Sequence, residues 1–197
     1  MHKKFINTAH KLRGAKYFLD TIKSTIDSRK INIQIITIQI EAYCFFLKAV
    51  GTSFDTDLKI VTTKLKKAGR HDIVRKLENI AVSNHNLLKA NKIYSFITNE
   101  RNQIKLRPAR ASFKFELVRD GKFVQDLVIK HSPGAAMPIE FEVQELQELN
   151  FTDWDGCENA IELCENAYSI IEVASINVLL EVRELLEQHE LLDFLNE

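Results

Sequence analysis

The residues best suited to chemistry crowd into segment 99–110, which carries Arg101, Lys105, Arg107 and Arg110 together with Asn99 and Asn102. A guanidinium group grips phosphate through two parallel hydrogen bonds, and an amide side chain both donates and accepts. Four cations and two asparagines in twelve residues therefore fit a phosphodiester-binding edge. The plainer reading is a solvated turn whose arginines pair with an acidic helix elsewhere in the chain.

Other chemistry has weaker support. No GxGxxG, GxxxxGK[ST] or GxSxG occurs, so a glycine-rich nucleotide cradle and serine-hydrolase chemistry are not expected. No CxxC or HExxH occurs and the six histidines are scattered, so no metal site and no cofactor is expected. Cys44, Cys157 and Cys164 read as buried, reduced thiols. Carboxylate pairs such as Glu140 and Glu142 read as a solvated acidic face rather than an acid/base pair.

The elements that would position segment 99–110 follow from periodicity. Residues 3–28 read as a helix, with Phe5, Ala9, Leu12, Ala15, Leu19, Ile22 and Ile26 on one face and Lys4, Lys11, Lys16 and Lys23 on the other. Residues 31–50 alternate like a strand at first but run too long for one. They read as a central buried helix, apolar nearly all round and ending at Gly51. A third helix spans about 57–68 and ends at Gly69. A fourth starts at Asp72 and carries Ile73, Leu77, Ile80, Leu87 and Tyr94, with Ser83, Asn84, His85 and Asn86 as a place to kink. Pro108 closes this region.

The period then changes to two. Phe113, Phe115 and Leu117, then Asp120-Gly121, then Phe123, Gln125, Leu127 and Ile129 read as a β-hairpin. Residues 139–149 fit either a strand or a helix. Thr152, Asp153, Trp154 and Asp155 resemble a capping box that opens a long last helix through Cys157, Ile161, Cys164, Tyr168, Ile171, Val178, Val182 and Leu185. The expected fold class is mainly α: an antiparallel bundle of about five helices, one domain over 1–197, with a β-hairpin and loop insertion at 111–150 before the last long helix.

Net charge is zero, from 27 Lys+Arg against 27 Asp+Glu. That neutrality is a cancellation. Residues 1–110 hold 22 Lys+Arg and 8 Asp+Glu, while residues 111–197 hold 5 and 19. A polyanion partner is thus not excluded by the neutral total. No run approaches the roughly 18 apolar residues of a membrane span, and no signal-peptide core follows the first lysines, so a cytoplasmic protein without membrane contact is expected.

Several segments, in order, resemble the HEPN superfamily of small helical domains. They are the apolar helix at 40–51 with Glu41 and Lys48; the Gly69-Arg70-His71-Asp72-Ile73 stretch; Arg101-Asn102, where that family has its Arg-Asn motif; and the start of the closing helix at 152–163. The resemblance covers most of the chain but not 111–150. In ribonuclease members the motif arginine is followed four to six residues later by a histidine. Here those positions hold Lys105, Leu106 and Arg107, so the imidazole suited to proton transfer near neutral pH is missing. His71 or His85 would replace it only if folding brought one beside Arg101.

The resemblance implies a non-catalytic module, expected as a homodimer. It would bind RNA or a protein partner, such as an antitoxin-like protein in a prokaryotic defence or toxin–antitoxin system. Its binding residues would be Arg101, Asn102, Lys105, Arg107 and Arg110. The alternative is an atypical metal-independent ribonuclease toxin using Arg101, Asn102 and Arg107 with a distant histidine. A third reading is a scaffold whose acidic helix meets a basic partner surface.

Overall fold

The apolar positions of the longest helix recur in unbroken phase: Ile36, Ile40, Tyr43, Leu47, Val50, Phe54, Leu58, Val61 and Leu65 are all buried. Steps of three and four keep such residues on one face. In the computed structural model, which describes residues 5–27, 31–106, 114–119, 122–128, 140–141, 148–151 and 154–196, they form a single helix, α2 (Ile33–Lys67). The expected stop at Gly51 and restart near 57 is therefore corrected. Glycine inside a helix costs about 1 kcal/mol, too little to break a stripe that continues in phase on both sides. The expectation of burial all round is also corrected, since Ile35, Ile38 and Phe45 are exposed.

Helix α1 (Ile6–Asp27) runs close to its expected span and buries Leu12, Ala15, Leu19 and Ile22. It packs so tightly on α2 that a Cβ on Gly14 would collide with the ring of Phe46. Its first turn is capped by a side chain from α2. Asp57 is fully buried and accepts from the Thr8 backbone N–H (2.9 Å), the Thr8 hydroxyl (2.8 Å) and Asn7 Nδ2 (2.7 Å). An anion there satisfies an orphan donor and suits the positive end of the helix dipole.

α2 ends at the glycine the sequence points to. Gly69 has φ +74°, Arg70 N–H donates to Leu65 O (3.0 Å) and Gly69 N–H to Lys66 O (3.1 Å), the Schellman pattern. Helix α3 (His71–Ala90) then passes straight through the polar run at 83–86. The break comes at Asn91, whose N–H donates to Leu88 O (3.2 Å) while its Oδ1 accepts from Tyr94 N–H (3.0 Å). One asparagine closes α3 and opens α4 (Lys92–Leu106). The single fourth helix expected from Asp72 onward is thus two helices. Leu88, not Leu87, is the buried position at the end of α3; Leu87 is 70% exposed.

Beyond α4 the fold-class expectation needs correcting. Short strands β2 (Lys114–Arg119), β3 (Lys122–Val128), β4 (Glu140–Phe141) and β5 (Glu148–Phe151) are present, and β1 (Ile31–Asn32) precedes α2. β2 lies between β3 and β5, and β1 pairs with β4. The expected insertion of a hairpin and a loop is corrected to a three-stranded sheet, β3-β2-β5, whose last strand leads into the bundle through Phe151. The described chain is mainly helical, with six helices rather than about five. Phe113, Asp120-Gly121, Ile129 and the loop at 132–138, on which the hairpin reading leaned, lie outside the described residues.

The last long helix, α5 (Ala160–Gln188), starts later than expected. Its capping box is Asn159 with Glu162: Asn159 Oδ1 accepts from Ile161 N–H (3.0 Å) and Glu162 N–H (2.9 Å), and Glu162 Oε2 accepts from Asn159 N–H (3.1 Å). Thr152 and Asp153 lie outside the described residues. Trp154 instead ties the approach to α4: its ring meets that of Phe96 at a tilt (5.1 Å), lies under Lys92 Nζ (5.1 Å), and donates from Nε1 to Glu158 (2.9 Å). A four-residue helix, α6 (Asp193–Asn196), follows α5.

α5 closes the bundle against α1 and α3, and two core clusters run along it. One gathers Leu12, Tyr43, Cys164 and Ile171; the other gathers Phe5, Phe54, Leu77 and Val182. Tyr43 donates its buried hydroxyl to Cys164 O (2.6 Å), and burial pushes its pKa well up. The Cys164 thiol is pushed up to about 12 by burial, with Glu165 adding to the rise. Cys44 is buried as expected, but Cys157, which precedes the cap, is exposed.

Candidate nucleic-acid interface

Antiparallel packing of α2 and α3, and the sharp restart at Asn91, bring three helices to one polar cavity of about 280 Å³. α2 supplies Lys48, Gly51, Thr52 and Asp55. α3 supplies His85, Leu88 and Lys89, and α4 supplies Tyr94, Ser95, Thr98 and Asn99. Gly51 leaves the Tyr94 hydroxyl room, since a Cβ there would sit 3.9 Å from it. Asn99 Nδ2 donates to Ser95 Oγ (3.1 Å), which fixes both amide and hydroxyl at the rim.

Two groups here have shifted titration. Burial raises the Asp55 carboxyl above its ordinary value, while the His85 charge acts in the opposite direction. Burial pushes the Tyr94 hydroxyl up to about 12, so it stays a donor at any physiological pH. The cavity thus lines up the Lys89 ammonium, the His85 imidazole, hydroxyls and an amide beside Lys48 and the Asp55 carboxyl. That set can neutralise and hydrogen-bond an anionic oxygen.

Sequence-derived residues fall into three groups. Arg101, Asn102 and Lys105 are on the last turns of α4. On a helix, position 101 continues the line of 94 and 98, position 102 that of 95 and 99, and position 105 that of 98 and 101. These are the cavity-lining positions of α4, extended toward its C-terminus. Arg107 and Arg110 lie outside the described residues. Of the histidines, His85 lines the cavity, whereas His71 is the first residue of α3, about 21 Å away along the helix axis. Sequence reasoning missed Asp55 and Lys89, which carry no motif and become neighbours only when α3 folds back along α2.

Among the described residues no group of three or more His, Cys, Asp or Glu could hold a metal ion, and no helix is long and apolar enough to cross a membrane. Comparison of the chain with protein-family models, curated proteins and solved structures finds no match.

Proposed function

We propose that this chain is a HEPN-like helical module that binds RNA along α4 and the adjoining cavity without cutting it. The carrying observation is the shared line on α4. Positions 101, 102 and 105 extend the face whose earlier residues, Ser95 and Asn99, meet Lys48, His85 and Lys89 across the cavity. Sugar–phosphate recognition needs cations and amides aligned along a groove rather than one deep pocket, and this arrangement has that form. The missing histidine after Arg101 favours binding over cleavage, and His71 lies about 21 Å from His85 along α3, outside the cavity lining. A role in a prokaryotic defence or toxin–antitoxin system, with a homodimer or an antitoxin-like partner, belongs to the same reading through the HEPN resemblance.

The second reading, an atypical ribonuclease, is favoured by one observation: His85 lines the cavity whose α4 wall leads to Arg101. The deciding experiment is a metal-free incubation of a mixed RNA panel with wild type, Arg101→Ala/Arg107→Ala and His85→Ala, followed by binding and cleavage measurements. Intact RNA, bound by wild type and released by the double variant, supports the module. Cleavage abolished by His85→Ala supports the ribonuclease. Binding unaffected by the double variant contradicts both.

A further inference from the structure

We propose that the groove between α1 and α5 is the docking site for an acidic amphipathic helix of a protein partner, a role separate from RNA binding at α4. The groove encloses about 840 Å³, and its floor is apolar: Phe5, Leu12, Leu179 and Leu195. Three aliphatic side chains stand on its rim uncovered, Ile6 (61% exposed), Ile176 (50%) and Leu180 (50%). Two antiparallel helices with an apolar furrow between them form the geometry that receives a third helix through residues spaced three and four apart.

Charge selects the occupant. Arg13 rises from the α1 wall and Arg183 from the α5 wall; both are exposed, and neither forms an ion pair among the described residues. Lys16 pairs with Asp20 (2.6 Å), and Glu172 accepts from the Tyr168 hydroxyl (3.0 Å) and keeps its charge, so the two arginines against one carboxylate leave the rim net positive. Lys23 pairs with Glu165 while Phe5, at the other end of α1, shares a core cluster with Val182 and Leu186, so α1 runs antiparallel to α5. The two arginines then lie about two helical turns apart, one on each side of the furrow. A partner helix with an apolar stripe and a carboxylate on each edge would satisfy both, and arginine's planar fork suits that pairing.

The test uses two labelled synthetic helices of about 18 residues sharing a Leu stripe, one flanked by Glu and one by Lys, titrated with the full chain by fluorescence anisotropy. The Glu-flanked peptide is expected to bind at least about tenfold tighter, an advantage that added salt reduces. Arg13→Glu/Arg183→Glu should reverse the order, and Ile176→Ser/Leu180→Ser should abolish binding of both peptides. All four positions are exposed, so unchanged circular dichroism and melting verify the fold. Equal affinity for the two peptides, no binding, or binding indifferent to the Ser variants would overturn the proposal. Self-association lost in Ile176→Ser/Leu180→Ser would overturn it too, by making a second copy the occupant. Arg101→Ala, which tests RNA binding, should leave peptide binding unchanged.

Discussion

Asp57 and Asp55 sit two residues apart on α2 and do opposite work. Asp57 is fully buried and answers three donors at the start of α1. Asp57→Ala should cost about 2–4 kcal/mol in chemical denaturation, because it removes the cap and strands a buried N–H. A change below about 0.5 kcal/mol would contradict the capping role. Asp55 lines the cavity, and its carboxyl is raised, chiefly by burial. A raised folded pKa means the ionised form is disfavoured on folding. Its contribution is nil below the ordinary carboxylate range and turns against the fold as pH rises through the raised value. Asp55→Asn should therefore raise the melting temperature at pH 7, and the gain should vanish near pH 3. It should also tighten RNA binding by removing a negative charge.

At the scale of elements, what was legible in the sequence is what local chemistry decides. The span of α1, the end of α2 at Gly69 and the period of α5 could all be read from spacing and a glycine. What escaped depends on contacts made across the fold. Asp57 resembles the start of a helix, yet it lies inside one and caps another 49 residues away. Asn91 carries no signal that outranks the polar run at 83–86, yet there the helix restarts. Two glycines separate these cases experimentally. Gly51 is in a helix interior with room above it, so Gly51→Ala should stabilise by about 0.5–1 kcal/mol. Gly14→Ala gains the same propensity but must displace the Phe46 ring, so it should destabilise by about 1–3 kcal/mol. Thermal melts of both variants check the pair; the same sign in both would contradict the packing.

For the whole molecule, the two oppositely charged halves do not simply cancel within the bundle. Among the described residues, α1 and α5 share one ion pair, Lys23 with Glu165. Glu181, Glu184 and Glu187 are exposed on α5, and Lys59, Lys67, Arg75 and Lys76 are exposed on α2 and α3. The neutral total hides surfaces of both signs. Lys89 lies at the cavity, at the other end of α3 from Arg75 and Lys76. Of the candidate site, the Arg101, Asn102 and Lys105 segment could be found from charge density alone. The α2 and α3 walls could not, since Lys48, Asp55, His85 and Lys89 are 41 residues apart at their widest separation, Lys48 to Lys89, before a residue of α4 is counted.

In the proposed RNA-binding mode, α3 and α4 present one phosphate-binding line. The salt dependence of RNA affinity tests it most directly, comparing wild type with Lys89→Ala/Arg101→Ala on one single-stranded RNA. Each lost phosphate contact flattens the plot of log affinity against log salt by about 0.7, so the double variant should flatten it by about 1.4 and weaken binding most at low salt. An unchanged slope, with affinity intact, would contradict the account.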